Sequence, residues 1–152
     1  MYIVLSGAKT NLGDFLITER ATALLRHLRP DRELVVRPAW EPLDLEDDAV
    51  RAASAIVIAG GPGYRPDMVP HVYPLVPDLE ALGCPVVPLG VGFKGRAIDP
   101  LTLRAYRFSE TTLRALRVMA DRAPGLGCRD RPTVSVLRAH GLHTATLVGC
   151  PV

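Results

Sequence analysis

Short apolar runs alternate with helical stripes along the whole of this chain. Tyr2-Ile3-Val4-Leu5 is an unbroken apolar run that reads as a buried strand, and Ser6, Gly7 and Ala8 let the backbone turn after it. From Phe15 onward the period changes: Ile17, Ala21, Leu24, Leu25 and Leu28 fall on one face of a predicted helix. Pro30-Asp31 makes a turn. Glu33-Leu34-Val35-Val36-Arg37 is a second strand, β-branched at its centre and closed by Pro38. Asp44 to Ala53 reads as a helix with its carboxylates in the first turn. Ala55-Ile56-Val57-Ile58-Ala59 is a third strand of the kind buried in parallel sheets, and Gly60-Gly61-Pro62-Gly63 is the loop after it.

Residues 64–74 are proline-rich and read as irregular, and Leu75 to Leu82 as a short helix stopped by Gly83. Pro85 to Val91 makes a fourth strand that runs into Gly92-Phe93-Lys94-Gly95. A long helical region follows, with starts at Asp99-Pro100 and at Ser109, and with Leu113, Leu116 and Ala120 on one face. Gly127-Cys128-Arg129 is a fifth strand, Pro132 to Ala139 a helix, and Thr144 to Val148 a sixth strand.

This alternation predicts an α/β fold: a Rossmann-like three-layer α/β/α domain over residues 1–152, with a mostly parallel sheet of about six strands covered on both faces. The loops after parallel strands gather at one edge, so Gly7 to Asp14, Gly60 to Gly63 and Gly92 to Gly95 are expected to converge there. In the doubly wound order the first and fourth strands flank the ligand crevice.

Composition narrows the function. The chain has 152 residues, 48% of them hydrophobic, enough for one sizeable core. No run is long enough to span a membrane and no signal peptide is visible, so a cytoplasmic protein is expected. Net charge is only +2, the cations are scattered, and aromatic residues make up 5%, which disfavours nucleic-acid binding. Cys84, Cys128 and Cys150 each stand near a glycine and a strand, and read as small buried residues. Neither they nor His27, His71, His140 and His143 have metal-ligand spacing, so no metal site is expected and the histidines read as surface or turn residues.

The chemistry concentrates at strand ends. Asn11-Leu12-Gly13-Asp14 sits where a strand ends and a helix begins, a place that offers backbone N–H groups to a ligand. Asn11 and Asp14 suit two roles, a capping pair or hydrogen-bond partners of substrate hydroxyls. Three glycines with a proline at 60–63 suggest backbone kept bare for a ligand. Lys94 and Arg96 are cations for a phosphate or carboxylate at the crevice, or solvated surface residues. Asp130 suits a cap of the next helix, while Arg129 at a strand end is placed to face an anion.

Taken in order, Asn11-x-Gly13-Asp14, Gly60-Gly61, Gly90-x-Gly92 and Arg129-Asp130-x-x-Thr133-x-x-x-Leu137-x-x-x-Gly141 resemble the polysaccharide pyruvyl transferase family. That family usually has Ser at the Thr133 position, and often an Asp-Pro pair where this chain has Cys150-Pro151. The resemblance implies transfer of the enolpyruvyl-derived group of phosphoenolpyruvate onto sugar hydroxyls as a pyruvate ketal, with phosphoenolpyruvate as donor and no other cofactor. It also implies two Rossmann-like halves of the GT-B type with the active site between them. This chain corresponds to the N-terminal half, so a second-half domain or a homo-oligomer is the expected partner, beside a glycan acceptor.

On this reading Asp14 and Arg129 are the candidate catalytic residues. Gly7, Asn11, Gly13, Gly60, Gly61, Gly63, Gly92, Lys94 and Asp130 are the candidate substrate-binding residues. Two other readings stand beside it. One is a non-catalytic Rossmann-like binding domain. The other is a glutamine amidotransferase-like hydrolase, whose strand-end nucleophile cysteine is replaced here by Gly92-Phe93.

Overall fold

The computed structural model describes residues 1–95 and 98–152; Arg96 lies outside the described residues. Strands are β1 (Tyr2–Ser6), β2 (Leu34–Pro38), β3 (Ala55–Ala59), β4 (Val86–Leu89), β5 (Leu126–Cys128) and β6 (Ala145–Leu147). Helices are α1 (Leu12–Leu28), α2 (Asp48–Arg51), α3 (Pro100–Ala105), α4 (Glu110–Arg122) and α5 (Arg131–Ala139).

Among the described residues, four strands form one parallel sheet in the order β2-β1-β3-β4, and β5 and β6 form a separate parallel pair. The continuous sheet is therefore smaller than the six strands expected. The two parts are joined just past the end of β4, where Val91 N–H donates to Gly127 O at 3.1 Å and Arg129 N–H to Val91 O at 3.0 Å. β1 lies between β2 and β3, so the switch point falls between β1 and β3 and not between β1 and β4. The flavodoxin-like order places a ligand crevice at β1/β3 by the same rule.

The core divides at the sheet. On one side Ile3, Leu5, Ile56, Ile58 and Val86 pack with Leu116, Met119, Val136 and Leu137 from α4 and α5. On the other, Val4 and Ala59 pack against Ala21, Ile17 and Leu25 of α1. α1 supplies this second layer over β1 and β3, which completes the three-layer arrangement there.

Local differences from the sequence reading have local causes. α2 keeps only Asp48–Arg51, because Asp44 spends its carboxylate on Glu46 N–H (2.9 Å) and the cap falls to Asp47, which accepts from Ala49 N–H at 2.7 Å. The helix expected over 75–82 shrinks to a single turn at Leu79–Ala81, since Pro77 disfavours a helical Val76. Segment 64–74 is irregular, with one broken turn at Met68–Val72. Cys84 and Cys128 are buried as expected, but Cys150 is exposed, past the end of β6. His140 is anchored: its Nδ1 lies 2.8 Å from Val136 O, and its ring packs edge-on against Phe108 at 4.9 Å.

Candidate functional site

The first loop is held by polar contacts at its base. Ser6 Oγ and Thr18 Oγ1 hydrogen-bond at 2.7 Å, and Ala8 N–H donates to Ser6 Oγ at 3.2 Å. Asn11 is the N-cap of α1, its Oδ1 accepting from Gly13 N–H at 3.0 Å. Its side-chain acceptor is thus used by the helix, and Asn11 and Gly13 are both exposed. Asp14 stands one position further on. Its carboxylate makes no hydrogen bond or ion pair among the described residues, so it does not close a capping box.

The glycine run after β3 is shaped by close neighbours. Gly60 and Gly61 have φ of +55° and +73°, and a Cβ at Gly60 would lie 2.6 Å from Ile17 Cγ2. A Cβ at Gly63 would overlap the Tyr73 hydroxyl and Val91. The run is stitched to the chain beyond β4: Gly60 N–H donates to Leu89 O (2.8 Å), Gly92 N–H to Gly61 O (2.8 Å) and Tyr64 N–H to Gly92 O (3.0 Å).

A cavity of about 290 Å³ opens at the β1/β3 switch point. Gly7, Lys9 and Asp14 line it from the first loop and the start of α1, and Gly60, Gly61 and Gly63 form the opposite wall. Trp40, just past β2, and Arg65, His71 and Tyr73 from the irregular segment complete it. Lys9 Nζ rests 4.2 Å from the centroid of the Trp40 ring, and Arg65 pairs loosely with Asp67 at 3.5 Å. Tyr73 is buried, and its hydroxyl has no hydrogen-bond partner among the described residues. Burial, and secondarily the Asp14 carboxylate, push the Tyr73 phenol well above its ordinary range, so it remains a donor.

A second polar cluster lies at the ends of β4 and β5. The Arg129 guanidinium lies across Gly92, where a Cβ would come within 2.6 Å of it, and Arg129 Nε is 3.3 Å from Asp130 Oδ2. Asp130 caps α5: its Oδ1 accepts from Thr133 N–H at 2.8 Å and from the Thr133 hydroxyl at 2.6 Å. That hydroxyl also accepts Phe93 N–H at 3.0 Å, tying the chain after β4 to the start of α5. Partial burial pulls the Asp130 carboxyl upward, but the Thr133 bonds and Arg129 outweigh it and hold the group below the ordinary carboxylate range.

The structure therefore brings Gly7, Asp14, Gly60, Gly61 and Gly63 together around one cavity, and groups Gly92, Arg129 and Asp130 outside it. Lys94 is exposed on the chain after β4 and does not line the cavity. Three loops do not converge on one pocket as expected. With the switch at β1/β3, the chain after β4 lies one strand further along the edge. Lys9, Trp40, Arg65, His71 and Tyr73 were not among the expected site residues. A long irregular stretch directly after a glycine run is the signal that points to the last three, since such loops in compact domains are usually functional.

The candidate hydrolase chemistry finds no nucleophile here. Cys84 precedes β4 and burial raises its thiol, while burial pushes the Cys128 thiol up to about 12. Among the described residues, no group of three His, Cys, Asp or Glu side chains is arranged to hold a metal ion. No helix there is long and apolar enough to cross a membrane.

Parallel strands, glycine loops and a carboxylate at the switch point define a Rossmann-like α/β protein with a cavity at its carboxyl edge. The family model for polysaccharide pyruvyl transferase matches residues 11–152, and the chain belongs to that family. No match was found among curated proteins or among solved structures.

Proposed function

We propose that this chain takes part in transferring pyruvate from phosphoenolpyruvate to a pair of hydroxyls on a sugar, as a cyclic ketal. In that reaction both hydroxyl oxygens bond to C2 of the donor and C3 gains a proton to become methyl. The C2–O bond to phosphate breaks, and the second hydroxyl proton leaves with inorganic phosphate. A base is needed for the hydroxyls, and cations for the donor's carboxylate and phosphate.

The observation that carries this reading is the Asp14 carboxylate, which lines the switch-point cavity and has no internal partner among the described residues. On this reading Asp14 accepts the proton from an acceptor hydroxyl, while Gly7 and Gly61, where a Cβ would face open space, let the backbone approach the sugar, and Gly60 and Gly63 line the same wall. Arg129, and Lys94 from the chain after β4, meet the anionic donor along the same edge. Gly92 leaves room for the guanidinium and Asp130 orients it. Asn11 and Gly13 fix the start of α1 and so the position of Asp14. A second Rossmann-like half, or a second copy of the chain, completes the cleft, and the reaction takes place in the cytoplasm. The exposed Leu147 and Val148 beside the sheet are suited to such a contact.

The test is incubation with phosphoenolpyruvate and acceptor glycans, with and without a candidate second-half protein. Phosphate release and a new ketal methyl resonance are followed together. Transfer that is lost in Asp14→Asn while the variant stays folded supports the reading. No binding of donor or acceptor under either condition overturns it.

A further inference from the structure

The charges around the switch-point cavity are not those of a pocket for a neutral sugar. Two permanent cations, Lys9 and Arg65, line it against a single carboxylate, Asp14, with the His71 imidazole beside them. A neutral hexose would leave the cations without a function, and a bare phosphate would meet Asp14 and make no use of the Trp40 ring. The volume, about 290 Å³, sits at the small end of ligand pockets and suits one monosaccharide unit. Tyr73, a buried residue, presents its hydroxyl at the wall with no protein partner among the described residues.

Resting on the acceptor reading above, we infer that this cavity takes an acidic sugar, a monosaccharide unit bearing a carboxylate or a phosphate. Its ring lies against Trp40, its hydroxyls meet Asp14 and Tyr73, and its acid group faces Lys9 with Arg65 and His71. Lys9 is the principal cation, because Arg65 is already offset by Asp67 at 3.5 Å. Among the described residues the Lys9 ammonium rests against the indole face alone, a weak contact at an exposed site, and a charge-assisted hydrogen bond to the acid replaces it.

Trp40 is the only tryptophan of the chain, so its fluorescence reports occupancy, with calorimetry as a second readout. The ligands are methyl glucuronide, glucose 6-phosphate, methyl glucoside and inorganic phosphate. The expected result is that at least one acidic sugar binds about tenfold or more tightly than the glucoside, and more tightly than phosphate alone. Lys9→Met should bring that sugar down towards the glucoside without moving the unfolding midpoint, and Arg65→Met should do so more weakly. Equal affinity for acidic and neutral sugars overturns the inference, as does phosphate binding as tightly as the tighter of the two acidic sugars, or no binding of any sugar. Acidic-sugar binding without ketal formation would support this inference and count against the transfer reaction. Ketal formation on neutral glycans without charge discrimination would do the reverse.

Discussion

Thr133→Val separates shape from polarity at the β4–β5 edge. Thr133 is completely buried, and its hydroxyl donates to Asp130 Oδ1 at 2.6 Å while accepting Phe93 N–H at 3.0 Å. Valine keeps the volume and offers neither bond. Asp130 would retain Thr133 N–H at 2.8 Å and Arg129 at 3.3 Å, whereas the buried Phe93 N–H would lose its recorded acceptor. A hydrogen bond to a charged group is worth about 1.5–3 kcal/mol and an unmet buried N–H costs about 1–3 kcal/mol. Local relaxation recovers part of that sum, so the expected loss is about 3 kcal/mol. Thr133→Ser, which introduces the residue usual in the family, keeps both bonds, removes one methyl and should cost about 1 kcal/mol.

Urea unfolding at neutral pH, with the slope unchanged between variants, measures both values. The pH dependence gives an independent check. The folded Asp130 carboxyl titrates below its unfolded value, so its contribution is fully present above about pH 4 and is lost as pH falls through the folded value. Removing the hydroxyl moves that carboxyl back toward its unfolded value, so the gap between wild type and Thr133→Val should narrow below about pH 4. A Val variant within about 1 kcal/mol of wild type, or a Ser variant as damaged as Val, would refute the reasoning. So would a gap that stays constant into acid.

Two further outcomes follow from the first loop and the cysteines. Asn11→Ala should cost about 1 kcal/mol through the lost cap, while Asp14→Asn costs about 0.3–0.5 kcal/mol from the helix dipole and abolishes sugar binding; thermal unfolding beside calorimetry checks this, and an equal cost for the two would make Asp14 a capping residue. A thiol reagent on the native chain should modify Cys150 quickly, and Cys84 and Cys128 only on unfolding, because burial keeps both protonated; mapping by mass spectrometry decides it, and rapid native labelling of Cys128 would contradict the buried placement.

The strands were legible because each is a short apolar run between breakers. Ala55–Ala59 and Tyr2–Leu5 carry that signal in full, and the structure uses them as the central pair. Capping was legible too, since Asn11, Asp99, Ser109 and Asp130 all cap helices with their side-chain oxygens. Strand order was not, because periodicity reports burial and not neighbours. Still, β2 carried a hint of its place: Arg37 and Pro38 at its end mark an edge strand, and Val36 is 47% exposed there. An edge β2 beside β1 moves the switch point from β1/β4 to β1/β3.

That shift decides which residues share the cavity. With β3 next to β1, the glycine run after β3 faces the first loop directly, which brings Gly60, Gly61 and Gly63 opposite Asp14. α1 leaves β1 on one side of the sheet, while the chain after β3 goes into segment 64–74, whose Met68 and Tyr73 belong to the core on the other side. The two segments diverge, and the gap between them is the cavity. The irregular segment is therefore not a passive connection. It supplies Arg65, His71 and Tyr73, and so most of the polarity on that wall. A sheet ordered with β4 beside β1 would have set Gly92 and Lys94 there, and the Arg129–Asp130 pair next to them. In this fold those residues stand one strand further on, so the edge carries two adjacent polar groups of different character. One is an open cavity whose carboxylate has no partner among the described residues; the other is a hydrogen-bonded cluster in which Thr133 fixes Asp130 and Arg129 stays partly exposed. In the proposed transfer the cavity would take the polyhydroxyl acceptor and the cluster would meet the anionic donor.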